Sequence, residues 1–210
     1  MRSYTIRDWV TVGLFGALWG VVEMTLGSVL HAIYPPLADT FLTGVVLGGI
    51  GAATALTGRH FVPKRGSVAL IGVVTALLKL LGPGENKIGP VVAILIEGVL
   101  MEVALLLAHT PQRLPFILGG ALAVAWNLPH KFLMMRLLYG KGVVEVYNKM
   151  VQDGSQALGL DPSLALLILA ILLLIRLVVG ALGGWGAWEL GHAVARRLGR
   201  RAPTAGEGGH

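Results

Sequence analysis

The stretch WVTVGLFGALWGVVEMTLGSVLHAI, Trp9–Ile33, carries a single formal charge, Glu23. A helix needs about 20 mostly apolar residues to cross a bilayer, and a helix apolar all round is one that lipid or protein surrounds on every side. The segment therefore predicts a spanning helix. It is longer than a secretory h-region and contains Glu23, so it reads as a retained span and not a cleaved leader. Working outward, five further apolar runs follow at 37–57, 67–82, 90–109, 114–138 and 162–190. Of the 210 residues, 55% are hydrophobic and only 13% charged, where a soluble domain has about 25% charged. The expected fold class is all-α: a polytopic membrane protein of six transmembrane helices. Residues 1–195 form one membrane domain, and 196–210 form a basic and then disordered tail.

Charge sets the orientation. Arg2, Arg7, Arg59, Lys64, Arg65, Arg113, Arg196, Arg197, Arg200 and Arg201 fall on the side that holds both termini. Lys87, Lys141 and Lys149 face the other way. The positive-inside rule then places both termini in the cytoplasm of a plasma-membrane protein. The net charge of +6 does not imply nucleic acid, because the arginines flank a span and no aromatic-interleaved basic face exists. With no cysteine in the chain, disulfides, thiol nucleophiles and cysteine-held metals are excluded. The outer segment 142–159 repeats Val143, Val144, Val146, Tyr147, Met150 and Val151 at helical spacing, which predicts an additional amphipathic helix on the outer surface.

Ionisable groups inside the spans cost roughly 2.5–3.5 kcal/mol at the bilayer centre unless they face a cavity or a partner. Counted from the outer span ends at ~1.5 Å per residue, Glu97 lies ~10 Å deep, His130 ~12 Å and Glu23 ~15 Å. Asn127 sits beside them, and Lys79 is near the surface, able to neutralise the carboxylates. These groups form an outer polar layer beneath the loop Gly82–Pro90, where Glu85, Asn86 and Lys87 present both signs of charge. Two carboxylates at one depth repel unless a cation, a proton or a ligand lies between them. Asn127-Leu128-Pro129 adds a proline that frees the carbonyl of Ala125, flanked by Trp126. Glu102 and Arg176, about 18 and 21 Å deep, form a candidate structural ion pair. Two glycine patterns stand out. Gly13, Gly16, Ala17 and Gly20 share one face of the first span, a small-residue surface suited to close helix contact. Gly180, Gly183, Gly184 and Gly186 weaken the last span and predict a bend near Trp185 and Trp188. No P-loop pattern is present.

With six spans, both termini inside, outer loops and the Gly13–Ala17–Gly20 face, the chain resembles an S component of an energy-coupling factor (ECF) transporter over about residues 5–195. The resemblance implies a small-molecule substrate, a vitamin or related micronutrient, held among Trp19, Glu23, Tyr34, Glu85, Asn86, Lys87, Glu97, Trp126, Asn127 and His130. It implies that Gly13, Gly16, Ala17 and Gly20 dock the transmembrane coupling subunit, with paired cytoplasmic ATPases supplying energy, and that the chain is not itself an enzyme and carries no cofactor. Cobalt- and nickel-binding members use a histidine just after Met1; Arg2 stands here, against that branch. Thiamine or its pyrimidine precursor suits aromatic rings beside carboxylates. Two other classes remain open: an integral membrane enzyme using Glu23, Glu97 and His130 for acid–base chemistry, and a proton-coupled carrier titrating Glu23, Glu97 and Glu102.

Overall fold

The computed structural model describes residues 3–33, 43–82, 87–107, 112–140 and 142–199. They form α1 (Ile6–Ile33), α2 (Thr43–Phe61), α3 (Ser67–Leu81), α4 (Ile88–Leu106), α5 (Arg113–Tyr139), α6 (Val143–Leu158) and α7 (Ala165–Gly199). A short 3-10 turn, Pro162–Leu164, leads into α7. By length and apolarity, the segments Ile6–Gly27, Ile88–Leu106 and Pro162–Val194 are able to cross a membrane. The helices lie where the apolar runs place them, and α6 matches the amphipathic segment. The beginning of the second expected span, residues 37–42, lies outside the described residues.

Helix order in space departs from chain order. α1 packs between α2 and α3; α3 then contacts α4, α4 contacts α5, α5 contacts α7, and α7 returns to α2. α2 also reaches across to α5. α6 lies against α5 and α7. Trp19, Leu56, Ile71, Met101 and Val124 are fully buried between these helices. Val10, Leu14, Leu18 and Val21 run along the opposite, exposed face of α1.

Where apolar side chains gain little by leaving lipid, helices associate through close packing of small residues. Gly72 of α3 and Gly98 of α4 meet so closely that a Cβ on the first would lie 3.3 Å from the second's Cα. A Cβ on Gly180 or Gly184 would overlap the α5 backbone at Gly120 and Phe116. The glycines of the last span thus include points of close helix contact. α7 is one helix through Gly199; Gly180 and Gly184 bring it against α5, and Gly183 brings it against Gly49 of α2.

The small-residue face of α1 divides in the same way. Gly16 and Gly20 are buried against Val74 and Leu78 of α3. Only Gly13 has open space around it, and Ala17 is half-buried. The four residues are thus not one free docking surface, because half of the stripe holds α1 onto α3.

Glu102 and Arg176 do not pair. The Glu102 carboxylate accepts the backbone N–H groups of Gly66 at 2.7 Å and Val68 at 3.0 Å. It also lies 3.5 Å from the Arg59 guanidinium. Gly66, with φ of 87°, precedes α3 and offers no side-chain cap of its own. The carboxylate of α4 supplies that cap from across the bundle, where the positive end of the α3 dipole favours an anion. The same end is tied further by Lys64, 2.5 Å from Asp8, and by the Tyr4 hydroxyl donating to the Arg65 carbonyl at 2.9 Å. Arg176 donates to the Leu172 carbonyl of its own helix at 3.2 Å.

Candidate functional site

At the opposite end of the bundle, α1, α3, α4 and α5 bring polar side chains together in an otherwise apolar interior. Glu97 of α4 accepts a hydrogen bond from the Asn127 amide of α5 at 2.9 Å. The same amide nitrogen is 3.5 Å from the Gly44 carbonyl of α2. Glu23 of α1 lies within electrostatic reach of Glu97, and Lys79 of α3 stands 3.6 Å from the Glu23 carboxylate. Lys79 also donates to the Glu23 backbone carbonyl at 3.3 Å. Two carboxyl groups thus share the neighbourhood of one ammonium. Glu23 and Glu97 are both buried, so interactions between them are screened less than at a surface.

Glycines on α2 make room for the site. A Cβ at Gly48 would lie 3.0 Å from the Asn127 amide nitrogen, and one at Gly51 would overlap the Trp19 indole. Trp19 is fully buried, and its N–H lies near the Glu23 carboxylate but outside hydrogen-bonding geometry. On α5, the His130 Nε2 faces the Gly89 carbonyl at 2.9 Å. That contact places the ring proton on Nε2 and leaves Nδ1 as an acceptor. The Trp126 and His130 rings lie 5.9 Å apart, tilted. Native proteins pair nearly all buried polar atoms. Here Trp19 Nε1, Thr43 Oγ1, Trp126 Nε1 and His130 Nδ1 are buried with no hydrogen-bond partner. The region thus offers two N–H donors, a hydroxyl, an imidazole acceptor and a pair of carboxylates.

Of the ten side chains assigned to a site from sequence, Trp19, Glu23, Glu97, Trp126, Asn127 and His130 lie at this end of the bundle. Tyr34, Glu85 and Asn86 lie outside the described residues. Lys87 does something else: its ammonium donates to the Leu80 carbonyl at 3.1 Å. There it closes the C-terminal end of α3, where a cation is favoured. Lys79 and Thr43 complete the cluster and were not among the ten. Lys79 was legible only as a neutraliser, because nothing in the chain ties it to Glu23 across 56 positions. Thr43 gives no periodic signal at all.

A separate cavity of about 480 Å³ lies between α4, α5, α6 and α7, lined by apolar atoms alone. Trp126 belongs to its wall, so this ring separates the cavity from the polar cluster. Among the described residues, no group of three His, Asp or Glu side chains is placed to hold a metal ion.

The family model described as a hypothetical bacterial integral membrane protein (Trep_Strep) matches residues 6–193. No curated protein and no solved structure matches the chain.

Proposed function

The chain belongs to the Trep_Strep family of bacterial integral membrane proteins, and from that premise we propose that it is the substrate-binding subunit of an ECF-type importer. It crosses the membrane several times; on this reading six helices, α1 to α5 and α7, span it, with both termini cytoplasmic and α6 on the outer side. The observation that carries the reading is the concentration of unpartnered polar atoms around the Glu97–Asn127 bond. Each would cost about 1–3 kcal/mol if left unsatisfied, and a bound molecule would satisfy several at once.

The chemistry of the site selects a class of substrate. The paired carboxyl groups of Glu23 and Glu97 offer acceptors to a cationic group between them. The Trp19 and Trp126 N–H groups call for acceptor atoms, and their rings favour a flat cation through stacking and cation–π contact. A cationic heteroaromatic micronutrient of the thiamine or aminopyrimidine type has these properties. Transport energy would come from partner subunits: a transmembrane coupling protein and two ATPases. With Gly16 and Gly20 buried against α3, docking falls to the exposed α1 face of Val10, Gly13, Leu14 and Leu18.

The proximity of Glu23 to Glu97 favours one alternative, a proton held between the two carboxylates in a proton-coupled carrier. Native mass spectrometry of the protein purified from cells grown with thiamine separates the two. Under the importer reading, a small molecule co-purifies and is lost in Glu97→Gln and Asn127→Leu but not in Arg113→Gln. Retention of that molecule in Glu23→Gln, Glu97→Gln and Asn127→Leu alike sinks it. Uptake driven by a proton gradient in vesicles containing this chain alone would establish the carrier.

A further inference from the structure

The apolar cavity is not used by the polar site, and its position suggests a second occupant. Leu122, Ala125, Trp126, Pro129 and Phe132 line it from α5, and their spacing marks one helix face over ~15 Å. Leu100 of α4, Leu169 and Leu173 of α7, and Tyr147 and Met150 of α6 complete the wall. At about 30 Å³ per methylene-sized group, taking the share of one water in the liquid, 480 Å³ holds roughly sixteen such groups.

Two further observations say what enters. Arg136 continues the lining face of α5 one turn beyond Phe132, in the last turn of the helix. It is exposed and makes no ion pair or hydrogen bond among the described residues. Tyr147, exposed on the amphipathic α6, lies one turn from the start of that helix, and tyrosine favours the level of lipid headgroups. An apolar slot with an unpaired guanidinium at its headgroup end matches an anionic lipid, since arginine engages phosphate through two parallel N–H donors.

We propose that one anionic phospholipid binds here, its acyl chain in the α4–α5–α6–α7 cavity and its phosphate at Arg136. The Trp126 ring keeps the chain apart from the polar cluster, so this site is independent of the substrate reading above.

Native mass spectrometry in mild detergent, with phosphatidylglycerol or phosphatidylcholine titrated in, tests the assignment. Wild-type protein should retain one phosphatidylglycerol more tightly than phosphatidylcholine. Arg136→Gln should lower that preference by about five-fold, the effect of one cation at a lipid surface. A phosphatidylglycerol with a photoreactive acyl chain should label the peptides of Leu122 and Leu169 saturably, and Ala125→Phe, which fills the slot, should abolish that labelling. Leu173→Phe provides a second blocked variant should Ala125→Phe not fold. Equal retention of the two lipids by wild-type protein would overturn the proposal. So would labelling spread over the exposed Leu14, Leu166 and Leu174 without saturation, or a free fatty acid competing as well as the phospholipid. Loss of lipid with retention of the polar small molecule would leave the importer reading intact, and the converse result would leave this one intact.

Discussion

Replacing Glu102 with alanine should unfold the end of the bundle that carries Arg59, Lys64 and the start of α3. The substitution removes the acceptor of two backbone N–H groups, at 2.7 and 3.0 Å, and takes the ion-pair partner from Arg59, whose guanidinium lies 3.5 Å away and keeps its hydrogen bonds to the Lys64 carbonyl and Ser67 hydroxyl. A buried donor left without a partner costs about 1–3 kcal/mol, and breaking a buried ion pair from one side costs about 3–5 kcal/mol. These penalties overlap, since one carboxylate serves all three groups, so we expect about 3–5 kcal/mol in total for Glu102→Ala. Glu102→Gln keeps one acceptor oxygen and should cost about 2 kcal/mol. Unfolding in mixed micelles with increasing dodecyl sulfate, followed by tryptophan fluorescence, measures both. A double-mutant cycle then identifies the partner. Glu102→Ala with Arg59→Met should show a coupling above about 1 kcal/mol, and with Arg176→Met one within about 0.5 kcal/mol of zero. A loss below about 1 kcal/mol for Glu102→Ala, or coupling to Arg176, would refute the cap.

Gly180→Leu should separate α5 from α7, because even a Cβ at that position overlaps the Gly120 backbone; we expect more than about 3 kcal/mol of destabilisation or failure to accumulate in membranes. Lys79→Met should cost about 2 kcal/mol by leaving Glu23 unpaired, discounted for the partial exposure of the lysine. Adding Glu23→Gln should recover much of that loss, and an unfolding titration showing no recovery would contradict the pairing. Outside the spans, Asp161 accepts the Ser163 backbone N–H at 2.7 Å, and its hydrogen bonds to Ser163 hold its carboxyl below the usual carboxylate range. The folded value is depressed, so its stabilisation is present above the unfolded value and is lost as pH falls through the folded one. Hydrogen-exchange protection at Ser163 should fall over that acidic interval in wild-type protein and be weak throughout in Asp161→Ala.

Helix positions were readable because apolar runs and their polar punctuation are local properties. Val143–Leu158 announced an amphipathic helix by spacing alone, and Ser67–Leu81 follows directly from Gly66 and Gly82. Partners across the bundle were not local. Depth counting put Glu102 and Arg176 near one level, but depth says nothing about azimuth, and Glu102 faces Gly66, Val68 and Arg59. The glycines of α1 and α7 posed the same difficulty. A small-residue stripe tells that something comes close, and only the ring order, with α1 between α2 and α3, tells which helix it is. The candidate site fared better because buried carboxylates need company: Glu23, Glu97, Asn127 and His130 share one end of the bundle as their depths required. Lys87 departs from that pattern because the nearest uncapped carbonyls belong to α3.

The notches that glycine leaves in α2 also bear on how the protein is made. Chains fold from the N-terminus as they emerge, and α2 is made long before the side chains that fill it. Its Gly48 waits for Asn127 of α5, and its Gly49 for Val179 of α7. Until α5 and α7 are in place those notches in α2 stand open, and the polar cluster lacks Asn127, Trp126 and His130, which α5 supplies. The site is therefore completed only with α5, and a nascent chain stalled after α4 would hold Glu97 without the Asn127 amide that donates to it.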